Sequence, residues 1–259
     1  MRSLLISLGV LAFLAFLGAW VTTARAADQP APALPAGYLA QKKTGELRAH
    51  CQNNLKQLGL VFKMFANESK GGRFPSLSAQ PGCLMFANEE DGASPVYPEY
   101  LADLNVLICP ASSAASFLKG PTKKPDPKVM IDDHSYFYLG YAVTNEADVK
   151  AFANAYKERM AKGLKMDEDI KTPNGQLYLL REGIERFYIT DINDPAGAAE
   201  VQAHIPILIE RLGNHEPAGG NVLYSDGHCE FIREGTWPMT KDTIEALKEL
   251  DTLKPSAKP

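Results

Sequence analysis

The most regular hydrophobic pattern of the chain lies in residues 44–67, where apolar residues recur at steps of three and four. This spacing places them along one side of an α-helix. The stripe consists of Leu47, Cys51, Leu55, Leu58, Phe62 and Phe65. Gly71, Gly72 and Pro75 follow and favour the end of a helix. The pattern therefore predicts a long amphipathic helix with one buried side.

Two further helices are predicted by the same periodicity. Residues 146–162 have one apolar side, which consists of Val149, Phe152, Ala153, Tyr156 and Met160. Thr144 or Asn145 is the expected N-cap, because both side chains can accept a hydrogen bond from the first helical turn, and Gly163 favours the end. A third, shorter helix is expected after Thr240. Its expected buried residues are Ile244 and Leu247.

Strand character is clearest in residues 221–232, where two alternating runs are joined by Asp226-Gly227. This dipeptide favours a two-residue type I′ turn, because both central positions need a positive φ. The pairs expected across the turn are Ser225 with His228 and Tyr224 with Cys229. One face of the predicted hairpin is expected to face the core and carries Val222, Tyr224, Cys229 and Phe231.

Shorter segments rich in β-branched and aromatic residues predict additional strands. They are residues 106–109, 136–143, 177–180, 187–190 and 205–209. Residues 118–128 contain three prolines and four lysines and are expected to form an exposed loop. One long helix followed by a meander of strands, a helical insertion and a terminal hairpin predicts an α+β fold.

The N-terminus differs from the rest of the chain, since residues 4–21 contain no charged side chain. Arg2 precedes this run and an Ala-Arg-Ala triplet, residues 24–26, follows it, which is typical of a secretory signal peptide. A run of this length can also anchor a protein in a membrane, so cleavage stays open. The predicted organisation is a signal peptide or anchor (1–26), a Pro/Ala-rich linker (27–43), an α+β domain (44–251) and a tail (252–259).

Composition narrows the class of partner. The net charge is −4 with 22% charged residues, and no basic cluster occurs beyond the 118–128 loop. Nucleic acid is therefore not an expected partner, because phosphate binding needs clustered Lys and Arg. A hydrophobic content of 45% is typical of a globular protein, and contact with a membrane is expected only through an uncleaved N-terminus.

Export would place the four cysteines in a compartment where disulfides persist. They are Cys51, Cys83, Cys109 and Cys229, and no two of them form a C-x-x-C pair. That spacing excludes a thioredoxin-like redox motif and a zinc knuckle. We expect structural disulfides, and the sequence leaves open all three possible pairings.

Three residues near the C-terminal hairpin suggest metal or acid–base chemistry. His215, Asp226 and His228 have the side-chain types of a facial metal set. Asp226 is also a turn residue whose carboxylate can accept a local backbone hydrogen bond, and this structural interpretation is favoured. A metal-dependent exported enzyme or metal-binding module centred on these three residues is the alternative function.

The aromatic residues Tyr136, Phe137, Tyr138 and Tyr141 allow two interpretations. An exposed platform of rings would bind sugars or a protein partner. A strand that buries alternate aromatic side chains is the commoner arrangement and is the one we expect.

Several motifs in a fixed order resemble one family. They begin with Cys51-Gln-Asn-Asn-Leu-Lys-Gln-Leu-Gly59 and Arg73-Phe-Pro75, continue with Leu107-Ile-Cys-Pro110, and end with His215 and Gly219-Gly-Asn-Val-Leu-Tyr-Ser-Asp-Gly-His228. Together they resemble the H-x9-DG family of prepilin-like proteins, which is related to the type II secretion pseudopilin G. The motif residues that the resemblance marks as structural are Cys51, Asn54, Leu55, Gly59, Cys109, Pro110, His215, Gly220, Asp226 and Gly227.

The resemblance implies a pilin-like fold, with a long N-terminal helix packed on an antiparallel sheet, and a non-enzymatic role. Two features depart from the family: ten residues rather than nine separate His215 from Asp226, and the apolar run ends at the Ala-Arg-Ala triplet rather than a prepilin site. We therefore expect an exported domain of the periplasm or cell surface, released or anchored through residues 4–21. Its expected partners are other envelope or secretion-apparatus proteins.

Calcium is the one cofactor that the resemblance allows, since some pseudopilins of the G type bind it. The oxygen-rich segments are residues 132–134 and the run that contains Asp191, Asn193 and Asp194. Neither has the spacing of an EF-hand, and a capping role explains Asp194-Pro195. The expectation is no cofactor, and any calcium site is placed at residues 191–194.

Overall fold

The computed structural model describes residues 38–86, 94–118, 125–173 and 175–253, with side chains from residue 43 onward except 116–118. Residues from Gln41 onward form one compact unit. The predicted signal segment 1–26, most of the predicted linker (27–37) and residues 254–259 of the predicted tail lie outside the described residues.

The first helix, α1, spans Tyr38–Glu68 and carries the predicted apolar stripe. Cys51, Leu55, Leu58 and Phe62 are fully buried, which confirms the expected core-facing side. The helix begins earlier than predicted, so residues 38–43 are helical rather than part of an extended linker. The last proline before it is Pro35, and no later residue of this segment lacks a backbone donor, so the helix can start there.

Four antiparallel strands form the main sheet in the order β1-β4-β5-β6. They are β1 Tyr136–Tyr138, β4 Pro206–Glu210, β5 Gly219–Tyr224 and β6 Cys229–Arg233. Two short strands, β2 Ile170–Thr172 and β3 Gly175–Leu177, pair separately. Helices and antiparallel sheets together confirm the predicted α+β class.

Helix α1 packs on one face of this sheet. The Phe62 ring lies 5.1 Å from the ring of Tyr138 on β1. A Cβ atom at Gly59 would lie 3.2 Å from Leu223 Cδ1 on β5, so a larger residue there would push the helix outward. Near the start of the helix the Arg48 guanidinium lies 4.8 Å above the Phe231 ring. Helix α1 therefore contacts side chains of β1, β5 and β6.

The other helices lie around the sheet. They are α2 Ser113–Leu118, α3 Pro127–Met130, α4 Glu146–Ala161, α5 Pro195–His204 and α6 Lys241–Asp251. Helices α4 and α6 confirm the two shorter predicted helices, and Asn145 and Thr240 are their N-caps. Arg211, at the end of β4, pairs with Asp251 of α6 at 2.7 Å and lies 4.1 Å above the Phe137 ring. This contact connects α6 to the sheet.

The cap of α4 supports a first prediction. The Asn145 side chain accepts a hydrogen bond from the Asp148 backbone N–H at 3.0 Å, and the Asp148 carboxylate accepts one from the Thr144 N–H at 2.9 Å. We expect Asn145→Ala to lower the free energy of unfolding by about 1 kcal/mol, because a helix N–H loses its acceptor. Urea unfolding measures this loss. The matched control is Asn154→Ala on the exposed side of the same helix, and equal losses in both variants would contradict the capping role.

The register of the C-terminal hairpin differs from the prediction by one residue. Leu223 opposes Cys229 and Asn221 opposes Phe231, while Val222 opposes Glu230. The loop contains three residues, 225–227, and only Gly227 has a positive φ, of 94°. The predicted two-residue turn is wrong, and so is the predicted common face of Val222, Tyr224, Cys229 and Phe231. Because β5 is buried on both faces, its sequence does not alternate in polarity and does not define a register.

The shorter predicted strands were only partly correct. Segment 205–209 corresponds to β4, whereas 136–143 and 177–180 contribute only β1 and the end of β3 to named strands. Segments 106–109 and 187–190 are not strands; they overlap 3₁₀ helices at Leu104–Leu107 and Ile184–Phe187. In the first of these the Asp103 side chain accepts a hydrogen bond from the Asn105 N–H, which favours a local turn over an extended chain.

Candidate functional site

Four buried side chains with metal-ligand or acid–base chemistry meet between α1 and the sheet. Cys51 comes from α1, Cys109 follows the first 3₁₀ helix, Glu210 ends β4, and His215 lies in the loop before β5. One side-chain N, O or S atom of each lies within 4.8 Å of the corresponding atoms of the other three. All four residues are at most 4% exposed. We call this group the Cys-Glu-His cluster.

The imidazole of His215 is at the centre of the Cys-Glu-His cluster. Its Nε2 atom lies 3.1 Å from Glu210 Oε1 and 3.5 Å from Cys109 Sγ. The same nitrogen therefore faces both the carboxylate and the sulfur. The imidazole, the carboxylate and the sulfur thus come together from three separate segments of the chain.

The carboxylate of Glu210 is fixed from the neighbouring strand. Its Oε2 atom accepts hydrogen bonds from the backbone N–H of Asn221 at 2.9 Å and from the Asn221 side-chain amide at 2.7 Å. Asn214 donates to Oε1 at 3.3 Å. The two Asn221 donors hold Oε2, so Oε1 is directed at His215 and accepts the longer bond from Asn214. Glu210 also pairs with Tyr136 across β1 and β4.

The segment that carries Cys109 is held by buried hydrogen bonds on both sides. The Cys109 backbone N–H donates to Ser135 Oγ at 2.9 Å, and the Asn54 amide on α1 donates to the Ile108 carbonyl at 3.3 Å. The Ala111 N–H donates to Cys109 Sγ at 3.3 Å. A backbone donor on sulfur favours the thiolate form, so the local geometry supports a charged sulfur.

The environment shifts the pKa of each group in the cluster. Burial favours neutral Glu210 and neutral His215, but it is outweighed by the hydrogen bond of His215 with Cys109 and by the hydrogen bond and opposite charges of His215 and Glu210. The pKa of Glu210 is lowered, and that of His215 is raised to about 9. A hydrogen bond from Cys51 is the main cause that lowers the pKa of Cys109, and the same bond raises that of Cys51. Without a bound cation, the cluster at neutral pH therefore contains a buried carboxylate–imidazolium pair.

Two polar atoms beside the cluster have no hydrogen-bond partner among the described residues. They are the hydroxyl of Tyr136 and the side-chain carbonyl oxygen of Asn221. Both residues flank Glu210 on the adjacent strands, and both are fully buried. Unpaired buried polar atoms are uncommon in folded proteins, and two of the three found among the described residues flank Glu210; the third is Trp237 Nε1.

The structure separates the three residues of the predicted metal set. His215 belongs to the Cys-Glu-His cluster, whereas Asp226 and His228 lie in and after the hairpin turn at the other end of β5. Asp226 Oδ1 accepts a hydrogen bond from the His228 backbone N–H at 2.9 Å, and the His228 ring stacks on Tyr224 at 4.4 Å. Since β5 is six residues long, about 20 Å separates its ends. A centre made of His215, Asp226 and His228 is therefore wrong.

The remaining motif residues have structural roles. Leu55 is in the core, and Gly59 permits the close approach of α1 to β5. A Cβ atom at Gly220 would lie 3.0 Å from the Glu210 carbonyl oxygen, so Gly220 permits close packing beside the cluster. Gly227 supplies the positive φ of the turn, and Pro110 follows Cys109 directly.

The aromatic run is buried rather than exposed. Tyr136, Phe137, Tyr138 and Tyr141 are each 0% exposed. The prediction of a buried aromatic strand is confirmed for residues 136–138, and an exposed sugar-binding platform at these residues is wrong. The hydroxyls of Tyr138 and Tyr141 donate to the carbonyls of Pro75 and Glu168.

The acidic segments considered for calcium use their oxygens in local turns. Asp194 is the N-cap of α5 and accepts hydrogen bonds from the N–H groups of Ala196 and Gly197, both at 3.1 Å. Asp191 accepts one from the Asn193 N–H at 2.8 Å. The capping role is confirmed, and calcium at residues 191–194 stays a prediction. The Asp133 carboxylate, in the other segment, accepts hydrogen bonds from two backbone N–H groups, those of Leu84 and Met85.

The predicted disulfides are not formed among the described residues, because no sulfur–sulfur bond joins any two of the four cysteines. Cys83 groups with the side chains of Asp132 and Asp133, and half-buried Cys229 lies on β6 opposite Leu223. Burial raises the pKa of Cys229 to about 11. Cys51 and Cys109 are neighbours, but as members of the Cys-Glu-His cluster. Cys51 and Cys109 therefore lie close together because both belong to this polar cluster, and no sulfur–sulfur bond joins them.

Of the four cluster members, sequence analysis identified three and missed Glu210. The available signal was an acidic residue that directly ends the apolar run Pro-Ile-Leu-Ile, 206–209. No known protein-family model matches the chain, and no curated protein or solved structure matches it. Within the described ranges, none of the helices combines the length and apolar character needed to cross a bilayer. The functional interpretation therefore depends on the geometry of the cluster and the fold.

Proposed function

We propose that this protein is an exported, non-enzymatic, pseudopilin-like domain with a structural or protein-interaction role in a cell-envelope or type II secretion-like assembly. The main support is the way α1 lies on the antiparallel sheet. Helix α1 also contributes Cys51 to a buried cluster with Cys109 and His215. These motif residues are distant in sequence, and their convergence supports the resemblance to prepilin-like proteins.

The arrangement of the cluster favours a role without catalysis. Cys109, His215 and Glu210 have the residue types of a nucleophilic triad, in which the thiol and the carboxylate bind different imidazole nitrogens. Here Nε2 of His215 faces both groups. A nucleophile must also be reachable by substrate, and the side chains of His215 and Glu210 are 1% and 0% exposed.

Two surface grooves formed by described residues are also separate from the cluster. One lies between α4 and α6 and is lined in part by Lys150 and Asp242, which form an ion pair. Another lies between α4 and β2. Neither is lined by a residue of the Cys-Glu-His cluster. Binding in these grooves would therefore not present a substrate to the buried thiols.

The test of export is fractionation of an export-competent bacterium that produces the full chain, followed by intact-mass analysis. We expect the protein in the periplasmic or membrane fraction, beginning at Ala27 or retaining residues 1–26 as an anchor. Full-length protein confined to the cytosol would overturn the exported role.

The test of assembly uses a photo-crosslinking amino acid at Leu60, an apolar residue of α1 that is 60% exposed. We expect adducts with a component of a pilus-like or secretion apparatus, or with a second copy of this chain. The matched control is the same substitution at Ile192, which is 73% exposed and lies outside α1. Absence of adducts at Leu60, or identical adducts from both positions, would overturn an interaction through α1.

A further inference from the structure

We propose that Cys51, Cys109, Glu210 and His215 bind one zinc ion, and that this ion stabilises the packing of α1 on the sheet. The inference comes from the geometry of the Cys-Glu-His cluster and does not depend on where the protein is located. The sequence alone suggested a metal set of His215, Asp226 and His228. The site proposed here shares only His215 with that set.

The side-chain types favour zinc over other biological cations. Two sulfur atoms, one imidazole nitrogen and one carboxylate oxygen form a mixed soft and borderline ligand set. Calcium and magnesium prefer oxygen ligands in larger number, which this cluster does not offer. Zinc accepts all three ligand types and is usually four-coordinate in structural sites.

The distances fit a compact four-ligand site. In a tetrahedral zinc site with bonds of about 2.0–2.3 Å, neighbouring ligand atoms lie about 3.3–3.8 Å apart. The distances from His215 Nε2 are 3.1 Å to Glu210 Oε1 and 3.5 Å to Cys109 Sγ. The other ligand atoms also lie within 4.8 Å of one another. Only small movements are needed to place a zinc ion among them.

The orientation of His215 is better explained by a cation than by hydrogen bonds alone. A single Nε2–H can point well at only one acceptor, but Glu210 Oε1 and Cys109 Sγ both face this nitrogen. A cation at the common centre would attract the nitrogen lone pair, the carboxylate and the thiolates together. Binding would release the protons of both thiols and of the imidazole Nε2, and the charge of the cation would compensate that of the two thiolates and the carboxylate.

A second layer of hydrogen bonds orients the ligands, as is usual around protein metal ions. Asn221 holds the Glu210 oxygen that does not face His215, at 2.7 Å. The Ala111 N–H donates to Cys109 Sγ, and Ser135 Oγ accepts from the Cys109 N–H. The Asn221 and Ser135 contacts fix their ligands without occupying a ligand atom, and the Ala111 N–H donates to the ligand sulfur itself, which favours its thiolate form.

The closed character of the cluster indicates a structural ion. All four ligands come from the protein, and each residue is at most 4% exposed. A catalytic zinc site keeps one position for water or substrate, which this arrangement does not provide. The ion would join α1, the loop after the first 3₁₀ helix, the end of β4 and the loop before β5.

The experiment uses the full chain purified under reducing conditions without chelator, and measures its zinc content by elemental analysis and native mass spectrometry. We expect one zinc per chain. After chelation, titration with Co²⁺ is expected to give the visible absorption of a tetrahedral thiolate site. The Co²⁺ spectrum reports the ligands of the intact wild-type protein, so the proposal stays testable if a variant fails to fold.

Variants separate this cluster from other cysteines. We expect Cys109→Ser and His215→Gln to lose stoichiometric zinc, whereas Cys229→Ser keeps it, because Cys229 lies on β6 outside the cluster. Asn221→Ala should weaken zinc binding about 10–100-fold through loss of the Glu210 support. Folded wild-type protein without zinc that also binds no Co²⁺ would overturn the proposal. A Cys51–Cys109 disulfide in protein freshly isolated from its own compartment would overturn it as well.

Discussion

In protein stripped of metal by a chelator, replacing Glu210 by alanine is expected to lower the free energy of unfolding by about 3–5 kcal/mol, because it leaves a buried imidazolium without its counter-charge. In the folded chain the Glu210 carboxylate lies 3.1 Å from His215 Nε2 and accepts two hydrogen bonds from Asn221. Alanine removes the acceptor of these donors and of the Asn214 amide at once, and water cannot readily replace it in the core. Urea unfolding monitored by circular dichroism measures the loss.

The control for this prediction is Glu230→Ala. Glu230 belongs to the same sheet, on β6, but its side chain is exposed. We expect a change within about 0.5 kcal/mol, as for most surface substitutions. Glu210→Gln, which keeps the size and one acceptor oxygen, should fall between the two. If Glu210→Ala lowered the free energy of unfolding no more than Glu230→Ala, the prediction that the buried Glu210 carboxylate stabilises the fold would be contradicted.

The second large effect is expected at Phe62, where α1 meets the aromatic core. Its ring is fully buried and lies 5.1 Å from Tyr138 and 5.5 Å from Phe86. Phe62→Ala should lower the free energy of unfolding by about 3–5 kcal/mol, from lost apolar burial and from the cavity left between helix and sheet. The same denaturant series provides the measurement.

Leu60→Ala is the matched control, because Leu60 lies on the same helix and is 60% exposed. Alanine has a high helix propensity, so we expect little change in stability. Similar losses at positions 60 and 62 would mean that the outer side of α1 is covered in solution. That result would contradict the orientation of the helix described above.

The helices of this protein could be predicted because their signals are local. In α4, the apolar residues follow the helical period, Asn145 caps the first turn, and Gly163 adopts a φ of 65° after the last. Each of these features acts within a few residues of the chain. The early start of α1 was missed because residues 38–43 contribute little to the apolar stripe.

The strands and the cluster could be predicted only in part because their determinants are distant in sequence. The strand β5 is buried on both faces, so polarity did not reveal that Leu223 rather than Tyr224 opposes Cys229. Glu210 ends an apolar strand, where an acidic residue is usually solvated. Its buried role depends on Asn221 and His215, which only the order of β4 and β5 brings beside it.

The position of Cys51 also has a mechanical consequence. Cys51 lies on α1, whereas its neighbours Glu210 and His215 lie near the C-terminal end of the domain, so the cluster connects distant parts of the chain. A pulling force on the N-terminal end of α1 would reach the central strands through this connection. The helix would then have to slide along the sheet and break many contacts together, instead of peeling away turn by turn. A subunit tethered through its N-terminal end would gain resistance to tension from this arrangement.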